Sequence, residues 1–299
     1  MAAAGLPWQA ESQGAVRHGA AGKIQCMNSL GRMNRLNRLI DSIHDARLRL
    51  LRMHFESKCG HIGGNLSCLD ILMTLFHMVM ADGDTFVLSK GHAAGALYTT
   101  LWSRGLLTEE DLTTFHRDDT RLGGHPSPHH LPQIPFATGS LGHGLPLACG
   151  IALAEQLRGG SGRTFCLLSD GEWQEGSNWE ALIFAARREI PLTLIVDKNG
   201  LQGFGKVRDI AGANDFAEQV RAFGVHASSV EGHSPGALYD ALAGAGTGVM
   251  AIVADTHKGH GISFMEDSME WHYLPMSQAQ YDQAMRELNA GVIEERRAA

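Results

Sequence analysis

Asp170 and Asn199 are the two residues of this chain whose types and setting speak most directly of chemistry. Asp170 opens the stretch Asp170-Gly171-Glu172-Trp173-Gln174-Glu175-Gly176 after Ser169, and Asn199 follows the next apolar run. A carboxylate and an amide oxygen at the ends of neighbouring strands suit a hard divalent cation. Mg²⁺ takes only one or two carboxylates and fills its octahedron with phosphate oxygens and water. With a loop carbonyl such as that of Leu201, the set leaves room for a diphosphate. Taken singly, Asp170 and Asn199 are equally what an ordinary strand-ending turn would carry; the longer pattern around them decides.

The elements that must position these residues read as strand, helix and strand. Residues 163–169 (RTFCLLS) form a short apolar run without charge after its first residue, as expected for a strand buried on both faces. Glu172 and Glu175 then stand near the start of a helical segment, where acidic residues suit the positive end of the helix dipole. Trp179, Leu182, Ile183 and Ala186 repeat at helical spacing, Pro191 closes the segment, and Leu192 to Val196 make the second strand. A right-handed βαβ unit with parallel strands follows, and it brings Asp170 and Asn199 to the carboxyl edge where open α/β folds bind ligands. The rest agrees with an α/β fold, a parallel, mostly doubly wound sheet flanked by helices. Asn37 to His54 reads as a first long helix, Phe86 to Leu88 as a strand and Val249 to Ala254 as a late strand leading into Thr256-His257-Lys258-Gly259-His260. The glycine-rich turn Gly139 to Gly144 precedes an Ala- and Leu-rich helix ending near Leu157, and its free N–H groups suit an anion.

Composition narrows the class further. A net charge of −7 gives no basic footprint, so nucleic acid and anionic membranes are poor partners. No uninterrupted apolar run approaches the roughly 18 residues that cross a bilayer. The five cysteines are scattered without a CxxC pair, as reduced thiols packed in a cytoplasmic protein would be. Residues 1–25 lack a signal-peptide core and read as a disordered tail; residues 26–299 read as one domain. Ser277-Gln278-Ala279-Gln280 reads as a capping box for a last helix, with Leu288 and Gly291 at its end, so the chain reads as a finished polypeptide. The other reading of its length is a piece of a longer protein.

Residues 169–202 resemble the thiamine-diphosphate motif, whose usual form opens Gly-Asp-Gly and closes with Asn. Ser57-Lys58-Cys59-Gly60-His61-Ile62-Gly63, Leu88-Ser89-Lys90-Gly91-His92-Ala93, Gly123-Gly124-His125-Pro126, Thr138-Gly139-Ser140-Leu141-Gly142-His143-Gly144 and Trp271-His272 occur in the order found in transketolases. The likeness to that family runs from about Leu36 to about Pro275.

The resemblance implies the thiamine-diphosphate-binding fold of the family's PP domain, and transfer of a two-carbon ketol unit from a ketose, or ketose phosphate, to an aldehyde acceptor, with the cofactor as electron sink. It implies Mg²⁺, replaceable by Ca²⁺ or Mn²⁺, on Asp170, Asn199 and the Leu201 carbonyl. Cofactor contacts fall on Gly139, Ser140, Leu141, Gly142, Asp170, Gly171, Glu172, Asn199 and His92. Catalytic roles fall on His61, His92, His125, His272 and Glu175, the last in proton communication between sites. His143 and His260 are possible additions. The glutamate that activates the aminopyrimidine has no counterpart here. The resemblance is therefore to the N-terminal subunit of a split transketolase, which needs a C-terminal subunit carrying the pyrimidine-binding domain, in an α₂β₂ assembly. Of the 16 histidines, His44, His54, His77, His116, His226 and His233 have no motif around them and receive no role. Zinc at His257 and His260 lacks a cysteine pair to complete a structural site.

Three departures bear on specificity. Ser169 replaces the first glycine of the motif, His143 stands at a common glutamine, and Lys90 stands at a common asparagine. The last two are expected on the substrate side and put pentose-phosphate specificity in question. Two other readings stand beside the main one. The α subunit of a 2-oxo acid dehydrogenase lacks the Leu-Ser-Lys-Gly-His-Ala and Gly-Gly-His-Pro segments present here, and a non-catalytic subunit has no need of the matched histidines.

Overall fold

A computed structural model describes residues 29–129, 131–212, 215–244 and 248–298. The expected disorder of residues 1–25 lies outside them.

In chain order the elements are α1 (Ser29–Ser57), α2 (Ile62–Thr74), β1 (Thr85–Leu88), α3 (Ala94–Ser103), α4 (Glu109–Thr113), α5 (Gly144–Leu157), β2 (Thr164–Ser169), α6 (Gly176–Arg188) and β3 (Leu192–Lys198). A two-stranded hairpin follows, β4 (Leu201–Gln202) and β5 (Gly205–Lys206), then α7 (Val207–Ala211), α8 (Phe216–Ala222), β6 (His226–Glu231), α9 (Pro235–Ala243), β7 (Met250–Asp255) and α10 (Gln278–Ala298). The main sheet has the order β1-β2-β3-β7-β6 and every pairing in it is parallel. The expected parallel α/β architecture is what the chain forms.

Burial on both faces explains why the strands read as unbroken apolar runs. Phe165 and Leu167 of β2, Ile195 of β3 and Ile252 of β7 join the core built by α1, α2, α3, α9 and α10. The alternate residues Cys166, Leu168, Leu194, Val196, Ala251 and Val253 join a second core under α5, α6 and α8. The result is three layers, helices on each side of the sheet.

Several boundaries differ from the sequence reading. The first helix starts at Ser29 rather than near Asn37, because its early turns are polar and show little periodicity. The last helix has the expected cap, with Ser277 N–H donating to Gln280 Oε1 at 2.9 Å. It nevertheless continues through Gly291 to Ala298. One helical stretch, Ile62–Val79, is apolar and long enough to cross a membrane by composition, but 78% of it is buried inside the fold. The sequence hid it because Asn65, Ser67 and Asp70 interrupt the run; all three are buried and used.

Register brings the functional loops together. Leu88 pairs with Leu167, Ser169 with Asp197, Lys198 with Asp255, and Glu231 with Asp255. The segments that follow β1, β2, β3, β7 and β6 therefore all leave the same edge. Leu167, wholly buried at the centre of the sheet, tests this scaffold. Leu167→Ala is expected to cost about 2–5 kcal/mol in urea unfolding, the range for a buried Leu cavity.

Candidate active site

Three of the four expected histidines meet above the carboxyl edge. The His61 ring lies 5.5 Å from that of His92 and 5.1 Å from that of His272, and His92 lies 5.7 Å from His272. Each arrives by a different local device. His92 sits in the 3-10 turn after β1. His272 ends the 3-10 turn Met269–His272. His61 precedes α2 in the left-handed region at φ 65°, an uncommon conformation for a residue with a Cβ. Its N–H donates to the His272 carbonyl at 3.1 Å and its own carbonyl accepts from Asn65 Nδ2 at 2.8 Å. Those two bonds hold the strained residue in place. His125 comes from an exposed loop and makes no ring contact with the other three among the described residues, though it lies near enough to His61 to act on its charge. Its ring leans over Gly139, where an added Cβ would come within 2.9 Å of it.

Burial keeps this cluster neutral. It holds His272 down at about 3, helped by Lys258, and His92 well below its ordinary value, helped by Lys90. His61 and His125 are lowered for the same first reason. Lys258 is itself buried, which, with Lys90 nearby, lowers its amine to about 8. It is thus a cation at neutral pH and donates to His272 Nδ1 at 2.9 Å. That bond leaves the His272 ring proton on Nε2.

Beneath the histidines lies a buried ion pair. The Lys90 amine donates to Asp197 Oδ2 at 2.5 Å and to the Gly64 carbonyl at 2.8 Å. Asp197 also accepts from the hydroxyls of Ser67, at 2.6 Å, and Thr256. Burial opposes both charges, yet the pairing wins: Lys90 is held above and Asp197 below its ordinary value. The expectation that Lys90 stands on the substrate side is corrected here. Its amine turns inward, because a buried carboxylate on β3 offers it a partner. Sequence reasoning missed Asp197, Ser67, Thr256 and Lys258; the Asp197 within the apolar run of β3 was the available signal, since a charge there needs a partner.

The oxygen set lies beside this pair. Asp170 Oδ1 accepts from Gly171 N–H at 2.8 Å and Oδ2 from Gly200 N–H at 2.7 Å, which ties the end of β2 to the residue after Asn199. Asn199 Oδ1 accepts from Leu201 N–H at 3.0 Å. Burial, with the Asp197 carboxylate near, pushes Asp170 up to about 6 despite both bonds. Such a carboxylate gains most from a bound cation, and carboxylate with amide oxygen is the donor chemistry of Mg²⁺. The residues present therefore fit a divalent metal with a diphosphate.

The glycine turn stands across from them. Gly142 has φ 81° and an added Cβ would meet Glu175 and Ser177 at 2.6 Å, so only glycine fits. Thr138 Oγ1, at the head of the turn, is buried and has no hydrogen-bond partner among the described residues. Ser140 is exposed and Leu141 half-buried. Glu172 is fully buried and its carboxylate accepts from Ser89 Oγ at 2.5 Å, Gly142 N–H at 3.0 Å and Ser169 N–H at 3.3 Å. It links three loops from inside. Glu175 is exposed at the start of α6, and among the described residues no hydrogen bond or ring contact joins it to the histidines. His143 is exposed, its Nδ1 3.0 Å from the Leu141 carbonyl.

A second cluster holds the loop that carries Lys258. Asp70, His233 and His260 place ligand-type atoms within 4.8 Å of one another. Arg47 already binds Asp70 at 2.9 and 3.1 Å, and His233 spans from Asp70, at 2.7 Å, to the His257 N–H, at 2.9 Å. His233 and His260 stack with centroids 3.5 Å apart, planes 16° from parallel, so their in-plane lone pairs do not converge. This is a clamp, and it gives His233 the structural role its sequence context did not suggest.

Fold and site together define an open α/β protein whose ligand edge joins oxygen donors to a neutral histidine cluster. Residues 41–289 match the family model described as transketolase, thiamine diphosphate binding domain. The chain is 36% identical over 241 residues to one subunit of the apulose-4-phosphate transketolase of Actinobacillus succinogenes, covering 77% of this chain and 87% of that one. It is 35% identical over 266 residues to human transketolase, covering 85% of this chain but 42% of the relative. Among solved structures, transketolase from Leishmania mexicana superposes with a TM-score of 0.78 at 25% identity, over 84% of this chain and 41% of that one. The chain belongs to the transketolase family. It spans about two fifths of the solved transketolase that it matches.

Two outcomes follow. Lys90→Met leaves Asp197 buried without its counter-ion and is expected to cost about 3–5 kcal/mol in chemical denaturation, much of it recovered by adding Asp197→Asn. Because a proton competes for Asp170 below about pH 6, metal-dependent ligand uptake is expected to strengthen from pH 5 to 7 with proton release, read by titration calorimetry in buffers of different ionisation enthalpy.

Proposed function

We propose that this chain is the diphosphate-binding half of a two-chain, thiamine-diphosphate-dependent transketolase, moving a two-carbon ketol unit from a ketose donor to an aldehyde acceptor. The observation that carries this reading is the junction of Asp170 and Asn199 with the histidine cluster of His61, His92 and His272 on one sheet edge. The cofactor, when bound, supplies the electron sink for carbon–carbon bond cleavage and formation.

The chain's own residues do the rest. Asp170, the Asn199 amide oxygen and the Leu201 carbonyl would hold the cation, which would supply positive charge for the diphosphate. Gly139, Ser140, Leu141, Gly142 and Gly171 allow close backbone approach to the cofactor. His92, kept neutral by burial, and His272, with its proton on Nε2, donate to or accept from substrate hydroxyls without charging first. His61 completes that wall, and His125 lies at its open side. Lys258 adds positive charge behind His272, where an alkoxide developing on the substrate is stabilised. Glu175 serves proton communication between sites at a subunit boundary, a role supported by its exposure beside the Gly142 turn.

The partner is a second chain carrying the pyrimidine-binding domain, in an α₂β₂ assembly in the cytoplasm. Two relatives named as subunits of an apulose-4-phosphate transketolase, 36% and 32% identical, support a two-chain arrangement. So does an apolar rim beside the site: Phe204 at the β4–β5 hairpin is 87% exposed, and Tyr273, which donates to the Gly203 carbonyl, is 54% exposed. Apulose 4-phosphate, named for those relatives, is the first donor to test here.

Reconstitution tests the reading. The chain with its partner is expected to show ketol transfer that neither shows alone. Asp170→Ala is expected to abolish thiamine-diphosphate uptake, and His92→Ala to lower kcat by about 10²–10⁴-fold with uptake retained. Full activity of the single chain, or full activity of His92→Ala, contradicts it.

A further inference from the structure

An asparagine can ligate a cation only through its oxygen, so a site using Asn199 must fix which end of the amide faces the ligand. The described residues contain the device that does so. Behind Asn199, Nδ2 donates to Ser67 Oγ at 3.3 Å and approaches Asp197 Oδ2 at 3.5 Å. Ser67 Oγ lies 2.6 Å from Asp197 Oδ2 and 3.1 Å from the Gly64 carbonyl. Its single proton goes to the carboxylate, so a hydroxyl lone pair is what faces Asn199. Asp197, charged and paired with Lys90 and Thr256, offers only acceptors. The whole wall behind Asn199 therefore accepts. An amide turned the other way would set its oxygen against a carboxylate and a spent hydroxyl, leaving buried groups unpaired. In the observed orientation Oδ1 points to the Leu201 N–H, on the side of the loop that Asp170 also reaches through Gly200.

We infer that Ser67 is a positioning residue for the cation site: from α2, with Asp197 behind it, it turns the Asn199 amide so that the oxygen faces the metal and diphosphate. The inference rests on the proposed cofactor reading, and it concerns a side chain that touches neither metal nor substrate. Outer-shell partners of metal ligands typically contribute ten- to a hundredfold in affinity. Ser67→Ala removes the hydroxyl and with it the contacts to Asp197, Asn199 and the Gly64 carbonyl, while adding no bulk to α2.

The test is Mn²⁺ affinity, read by the loss of the free-ion EPR signal at saturating thiamine diphosphate. It uses the full chain, supplemented with the partner chain if the wild-type chain alone takes up no Mn²⁺. Ser67→Ala is expected to weaken Mn²⁺ binding about tenfold or more. In an Asn199→Ala background the same change is expected to have no further effect, because its action runs through that amide. Unfolding midpoints measured on the four proteins separate this from a general loosening. Unchanged affinity in Ser67→Ala, or an equal loss in both backgrounds, overturns the inference. Failure of the wild-type complex to take up Mn²⁺ with the cofactor overturns instead the reading on which it rests.

Discussion

The buried ion pair of Lys90 and Asp197 is the constraint around which the carboxyl edge is arranged. Taking two charges out of water is costly, and only good geometry with further hydrogen bonds offsets that cost. Here Lys90 comes from the loop after β1, Asp197 from β3, Ser67 from α2 and Thr256 from the end of β7. Four separate elements must arrive in register before the Asp197 carboxylate has all its partners. A misaligned edge leaves an unpaired charge in the core, so the pair selects one arrangement. His92, two residues beyond Lys90, and Asn199, two beyond Asp197, are carried to their places by the same constraint.

Electrostatics then divide the edge into two halves. On one side burial, helped by the lysines, keeps His92 and His272 neutral, as groups that handle hydroxyls near neutral pH should be. On the other, Asp170 is a carboxylate whose burial calls for a cation. On the proposed reading one edge serves an anion-binding and a proton-handling task, with Asp197 between them, paired with Lys90 and close behind Asn199.

Much of this was legible in the chain. The apolar runs of β2 and β3 with the turns after them gave the βαβ unit, because strands buried on both faces leave no alternation to misread. The histidine turns were legible by family resemblance rather than by spacing, since nothing in the distance from His61 to His272 says that they meet. What escaped was the network beneath. Ser67, Asp70 and Asp197 look like interruptions in apolar segments, and partners such as Asp197 for Ser67 and His233 for Asp70 lie more than a hundred residues away. Lys90 was misplaced for the same reason: a sequence shows a charge but not the side to which it turns. The start of α1 and the far end of α10 were misjudged where polar turns continue a helix without periodicity.

On the proposed reading one sheet edge holds a metal–diphosphate group at Asp170 and Asn199 beside the histidine cluster. Anomalous diffraction from crystals of the complex grown with Mn²⁺ and thiamine diphosphate tests it most directly. The expected result is a manganese peak bound by the Asp170 carboxylate, the Asn199 oxygen, the Leu201 carbonyl and diphosphate oxygens, with the thiazolium facing His61, His92 and His272. A peak between Asp70, His233 and His260, or a diphosphate held away from Asp170, would contradict it.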